Sequence, residues 1–191
     1  MRDKMKGLVL ASQSPRRKEL MTLLPWQFEI QVKEVEEIIN LEWSPQENVK
    51  SLAMQKAQAV GKENLNQIII GADTIVCLNG EIMGKPKDEV HAKAMLKKLS
   101  GQIHHVFTGV AILCKERRIK ESFYIETKVK MQDLSDKEID NYLQTKEPFD
   151  KAGAYGIQGY GARYIEGIEG DYYNVMGLPV HALYEKLKTL L

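Results

Sequence analysis

Apolar residues recur along this chain in two rhythms, one suited to strands and one to helices. Short apolar runs at Gly7–Ala11 (GLVLA) and from Ile68 to Cys77 (IIIGADTIVC) read as buried strands, and Phe28–Val35 (FEIQVKEV) alternates as a half-buried strand does. Val106–Cys114 is a further strand. Ile119–Met131 alternates cleanly, with Ile119, Phe123, Ile125, Val129 and Met131 set against Lys120, Ser122, Tyr124, Lys128 and Lys130. Joined through Lys115–Arg118, these two predict an antiparallel pair with one wet face. Ala162–Ile168 is a candidate edge strand.

The helices are marked by their starts. Ser14 is a good N-cap and Pro15 a good first residue for a helix to about Leu24. Ser44–Glu47 (SPQE) is a capping box, opening a helix from Pro45 to about Lys62 whose stripe holds Val49, Leu52, Ala53 and Val60. Asp88 caps a helix that reaches Leu99 and ends at Gly101. Ser135–Glu138 (SDKE) is a second capping box for a helix through about Lys146, and Pro179 starts a closing helix to about Leu190.

One acid interrupts this pattern. Asp73 lies inside an apolar run, where an ionised carboxylate is costly unless it is paired, bound to a metal or open to a cleft. The Asn79-Gly80 pair that follows is a strong signal for a two-residue type I′ hairpin. Such a turn pairs Leu78 with Glu81 and Val76 with Met83, and carried further it sets Lys85 opposite Thr74, beside Asp73.

Composition narrows the classes. At 191 residues, 43% hydrophobic and 28% charged, the chain suits a single soluble domain over 1–191. Its 27 basic and 26 acidic residues give a net charge of +1, so no general field draws in nucleic acid or a membrane, and an anion must be held locally. The opening MRDKMKGLVLASQSP is too polar for a secretory h-region or a spanning helix, which places the protein in the cytoplasm. Cys77 and Cys114 read as core thiols. His104 and His105 point to opposite faces of a strand, and neither His91 nor His181 has a partner at zinc-ligand spacing.

Several charged residues remain to be placed. Arg16 and Arg17 sit in a first helical turn, where the macrodipole disfavours cations. With Ser12 and Ser14 they form a candidate phosphate site, the alternative being a solvated arginine pair. Lys56 falls on the apolar stripe of its helix, so it either snorkels to the rim or serves a site. Glu36 and Glu37 are candidate ligands for a divalent cation or solvent-facing charge. Four glycines in Glu147–Gly161 break regular structure, and Gln158 among them offers the donor and acceptor that reading a base edge requires. No P-loop, G-x-G-x-x-G or G-x-S-x-G occurs. What remains is phosphoryl chemistry by positioning, charge neutralisation and a carboxylate acting on water.

Four stretches, ASQSPRRKEL at Ala11–Leu20, GADTIV at Gly71–Val76, GKP at Gly84–Pro86 and EPFDKAGAYGIQG at Glu147–Gly159, resemble in order the motifs of the Maf family of nucleoside triphosphate pyrophosphatases. That resemblance implies a mixed α/β fold with an elongated central sheet flanked by helices, two lobes and a cleft, like inosine triphosphate pyrophosphatases. It implies hydrolysis between the α and β phosphates with a divalent cation, Mg²⁺ or Mn²⁺, and a homodimer. Asp73 matches the family's general base, Lys56, Lys85 and Glu37 match positions around its phosphates and metal, and Ser12 and Arg17 match its phosphate loop. Asp73 and Glu37 are the implied metal ligands, with Glu36 beside them as the open alternative. Arg16, Thr74 and Gln158 are the combination of the branch acting on dTTP and UTP. A nucleotide-responsive regulator of septum formation with little turnover is the competing reading.

Overall fold

The computed structural model describes residues 7–191, so Met1–Lys6, from which part of the targeting argument is read, lie outside it. Seven strands form a mixed sheet with helices between them in sequence. They are β1 (Leu8–Leu10), β2 (Phe28–Ile30), β3 (Ile68–Leu78), β4 (Glu81–Met83), β5 (Ile103–Cys114), β6 (Ile119–Met131) and β7 (Ile165–Glu169). The order is β2-β1-β3-β5-β6-β7, with β4 paired to β3. The α-helices are α1 (Pro15–Met21), α2 (Pro45–Gly61), α3 (Glu89–Leu99), α4 (Asp136–Gln144), α5 (Tyr172–Met176) and α6 (Val180–Leu190). Among the described residues no helix is long and apolar enough to cross a membrane.

The chain divides into two compact units. The first takes the described residues up to Asp73 with Thr108–Ile125 and Gly177–Leu191. In it β1 runs parallel to β2 (Leu8 opposite Phe28, Leu10 opposite Ile30) and to β3 (Leu8 opposite Ile68, Leu10 opposite Ile70). Helix α2 closes over Val9, Ile69, Ala111 and Leu113 with Ala53, Ala57 and Val60. Three glycines permit the approach. A Cβ on Gly71 would overlap the Ala53 carbonyl oxygen and lie 2.9 Å from the Ala57 nitrogen. One on Gly109 would meet the Val49 carbonyl group, and one on Gly61 would come within 2.8 Å of Leu113. Helix backbone thus rests directly on strand.

The second unit, Thr74–Phe107 and Glu126–Met176, holds the hairpin, α3, α4 and three short 3₁₀ turns at Glu147–Asp150, Ala152–Ala154 and Gly159–Tyr164. Its core joins Leu96 and Leu99 to Val129, Met131, Tyr142, Tyr155 and Tyr164. The hairpin has the predicted register, Leu78 opposite Glu81 and Val76 opposite Met83, with φ of 51° at Asn79 and 85° at Gly80 as a type I′ turn requires. Both capping boxes form, and Asp88 caps α3.

Several boundaries differ from the pattern-based expectation, β5 among them, which begins at Ile103 rather than Val106. The strand predicted over Phe28–Val35 stops at Ile30, because its ladder partner β1 is three residues long and turns away at Ser12. The first helix ends at Met21, where the Thr22 hydroxyl and N–H both close on the Glu19 carbonyl. The edge strand placed at Ala162–Ile168 begins at Ile165, since Gly159–Tyr164 coils as 3₁₀ turns, and the short helix α5 has no clear sequence signal.

Cys77 and Cys114 are free and buried, as core thiols should be. His104 is fully buried with Nε2 2.6 Å from the Tyr155 hydroxyl, and its Nδ1 has no partner among the described residues. Burial first, then the neighbouring His105, pushes its pKa down to about 4 from the usual 6.5. The unfolded chain therefore takes up this proton first as pH falls. Stability carried by the neutral ring is complete above pH 6.5 and is lost toward pH 4, by about 3 kcal/mol in full. Urea midpoints measured from pH 7 to 4.5 should fall, and His104→Gln should flatten part of that slope. An identical slope in the variant would remove His104 from the acid response.

Candidate active site

The first unit gathers most of the singled-out charges. Ser14 caps α1, its side chain accepting from the Arg17 N–H at 3.4 Å, and no acid occupies the first helical turn. Ser12 is buried and its Oγ accepts from the Ser14 N–H at 3.2 Å and from Arg17 Nη1 at 3.3 Å. Arg17 Nε donates to the Gly177 carbonyl at 2.8 Å, so the guanidinium is held between the serine loop and the start of the C-terminal segment. Burial lowers the Arg17 pKa, Asp73 and Glu37 oppose that shift, and Arg16 adds to it. An arginine stays protonated throughout. The solvated-pair alternative therefore fails for Arg17.

Lys56 resolves the oddity of Asp73. Asp73 is 7% exposed in β3, two residues after Gly71 and so on the same strand face, against which α2 lies. Lys56 projects from α2 and its ammonium binds both Asp73 Oδ1 and, at 2.8 Å, Glu37 Oε1. One cation thus joins two carboxylates. Of the neighbouring Glu36 and Glu37, it is Glu37 that Lys56 holds. The segment bearing it is irregular rather than the end of a strand, and a buried side chain that the sequence reading missed, Asn48, ties it down. Asn48 Oδ1 accepts from the Asn40 N–H at 2.8 Å, and its amide donates to the carbonyls of Asn40, Trp43 and Ser44 at 2.9–3.2 Å.

Three predicted site residues belong to the second unit. Thr74 is partly buried in β3. Lys85 is exposed just past β4, and the ladder does not reach it. Pairing stops at Met83 because the Gly84 carbonyl accepts instead from the Gly153 N–H at 3.0 Å, and Pro86 has no N–H to offer. The expected ladder pairing of Lys85 with Thr74 therefore does not form, and the cation paired with Asp73 is Lys56. Gln158 precedes the Gly159–Tyr164 turn, partly buried, with its side chain making no cap hydrogen bond. Its loop is organised by Glu147 and Tyr142, neither of which the sequence reading singled out.

The architecture is that of a known class. The Ham1 protein of Staphylococcus aureus superposes with a TM-score of 0.51 at 19% identity, over 84% of this chain and 80% of that one. This is a likeness of fold, and it agrees with the mixed α/β architecture expected, a central sheet flanked by helices. The family model described as Maf-like protein matches residues 7–190. The chain belongs to the Maf family. It is 52% identical over 184 residues to the dTTP/UTP pyrophosphatase of Bacillus cereus, covering 96% of this chain and 95% of that protein. Those of Bacillus mycoides and Bacillus cytotoxicus match at the same identity and coverage.

Proposed function

We propose that this protein hydrolyses dTTP and UTP, with related modified pyrimidine nucleotides, to the nucleoside monophosphate and pyrophosphate. The observation that carries the reading is the Glu37–Lys56–Asp73 bridge beside Arg17 and Ser12, in a chain 52% identical to relatives named for that activity. Ser12, Ser14, Arg16 and Arg17 receive the phosphates, with Lys56 and Lys85 adding charge. Asp73 takes a proton from water as the water oxygen bonds to the α-phosphorus. The bond from that phosphorus to the oxygen bridging to the β-phosphorus breaks, and pyrophosphate leaves with the electron pair. Thr74 and Gln158 read the base.

The donor set suits a divalent cation. Asp73 and Glu37 oxygens converge on one ammonium, and no group of three or more His, Cys, Asp or Glu forms a cage among the described residues. Two carboxylates completed by water and phosphate oxygens are what Mg²⁺ or Mn²⁺ accepts. Asp73 and Glu37 would hold the ion, which when bound would neutralise charge on the phosphates.

The test is pyrophosphate release from dTTP, UTP, CTP, dATP and GTP with Mg²⁺, Mn²⁺ or a chelator. dTTP and UTP should lead in kcat/KM by at least about tenfold, and chelation should stop release. Tight binding without release across the panel would support the septum-regulator reading instead. The enzyme acts on free nucleotides as a cytoplasmic homodimer, with no nucleic acid or membrane as partner. A sedimenting species of 21.8 kDa would remove the dimer.

A further inference from the structure

The second unit contains a carboxylate and a phenol that the chemistry above does not use. Glu147 Oε1 accepts from the Tyr142 hydroxyl at 2.7 Å and from the Gly161 N–H at 2.9 Å, while Oε2 accepts from the Tyr160 N–H at 2.8 Å. Having donated its proton to Glu147, the Tyr142 oxygen accepts from the Gly156 N–H at 3.0 Å. Three backbone donors are thus satisfied by two side chains. Gly156 lies two residues before Gln158, and Tyr160 and Gly161 lie two and three after it. The backbone of Gln158 is therefore gripped from both sides.

The grip suits a stretch that cannot satisfy itself. Gly159 has a φ of 68° and the segment coils as 3₁₀ turns, so no ladder supplies acceptors for these N–H groups. The fit is close. A Cβ on Gly159 would come 3.1 Å from the Glu147 carboxyl carbon, and one on Gly161 would come 2.6 Å from the Tyr142 oxygen. The anchor is firm too. Tyr142 is 1% exposed on α4 and meets Tyr164 edge-on at 5.4 Å, and burial, then Glu147, keeps its hydroxyl protonated by raising its pKa.

We propose that Glu147 and Tyr142 are positioning residues that set the enzyme's base selectivity by fixing the loop on either side of Gln158. This rests on the reading of Gln158 as the residue that meets the base. Uracil presents a carbonyl at position 4 and an N–H at position 3, and cytosine presents the opposite pattern. A side-chain amide held in one place distinguishes the two, while one on a loosened loop can turn and accept either. Phosphate binding needs no such placement.

The experiment compares kcat/KM for UTP and CTP in the wild type, Tyr142→Phe, Glu147→Gln and Gln158→Glu, with thermal melts to confirm folding and inorganic triphosphate inhibition to report phosphate binding. Tyr142→Phe keeps the buried ring and removes one acceptor. Glu147→Gln keeps the shape and turns one acceptor into a donor facing an N–H. Each should reduce the UTP:CTP ratio by about tenfold, chiefly through KM for UTP, and leave triphosphate inhibition unchanged. An unchanged ratio in folded Tyr142→Phe, or an equal loss on both substrates, overturns the positioning role if Gln158→Glu still alters the ratio. An unchanged ratio in Gln158→Glu overturns the base-reading role and this proposal with it.

Discussion

Asp73→Asn should lower pyrophosphate release by about 10³-fold while the folded protein still binds nucleotide. The substitution is close to isosteric, so β3 keeps its packing through Gly71 and Lys56 keeps its bond to Glu37. What disappears is the charge. A neutral amide neither takes a proton from water nor offers a metal an anionic oxygen, whereas the native carboxylate is kept beside Lys56 and Arg17 in an otherwise apolar strand. Release assays under saturating dTTP, paired with equilibrium binding, separate chemistry from affinity. A variant that turns over at the native rate removes Asp73 from the reaction.

Gly71→Ala should strongly destabilise the first unit, costing about 3 kcal/mol. Its Cβ would meet the Ala53 carbonyl and the Ala57 nitrogen, which are helix backbone and cannot rotate aside. Helix α2 must then lift from β3, and Lys56 goes with it. For a chain of this length that loss lowers Tm by about 6–12 °C. Residual activity measured well below the new Tm should fall as well, because the Lys56 ammonium no longer bridges Asp73 and Glu37. Gly84→Ala is the control, since a Cβ there meets nothing within 4 Å. Urea unfolding of the two variants side by side gives the comparison, and equal midpoints would show that α2 has slack.

Much of the local architecture can be read directly from short windows of the chain. Asn79-Gly80 announces its turn because few residue pairs tolerate two positive φ angles, and SPQE and SDKE announce helix starts because each box satisfies its own backbone donors. The four motifs of the Maf family are legible for the same reason, being runs of neighbours. Ser12, Ser14 and Arg17 come together because a strand, a turn and a cap bring residues five apart into reach.

Other features depend on pieces distant in sequence. The length of β2 is set by β1, which alternation within Phe28–Val35 cannot reveal. Asp73 invited a partner from its own hairpin, yet the bond goes to a helix seventeen residues earlier, because Gly71 and Gly109 let that helix lie on the strands. Glu147 looks like any loop acid until the chain returns and turns the N–H groups of Tyr160 and Gly161 toward it. The sequence by itself determined the turns, caps, apolar faces and family motifs, since these depend on φ, ψ and side-chain period over a few residues. Only the tertiary structure decided which cation holds Asp73, which of two glutamates joins it and what steadies Gln158, because those are contacts made where backbones close upon one another.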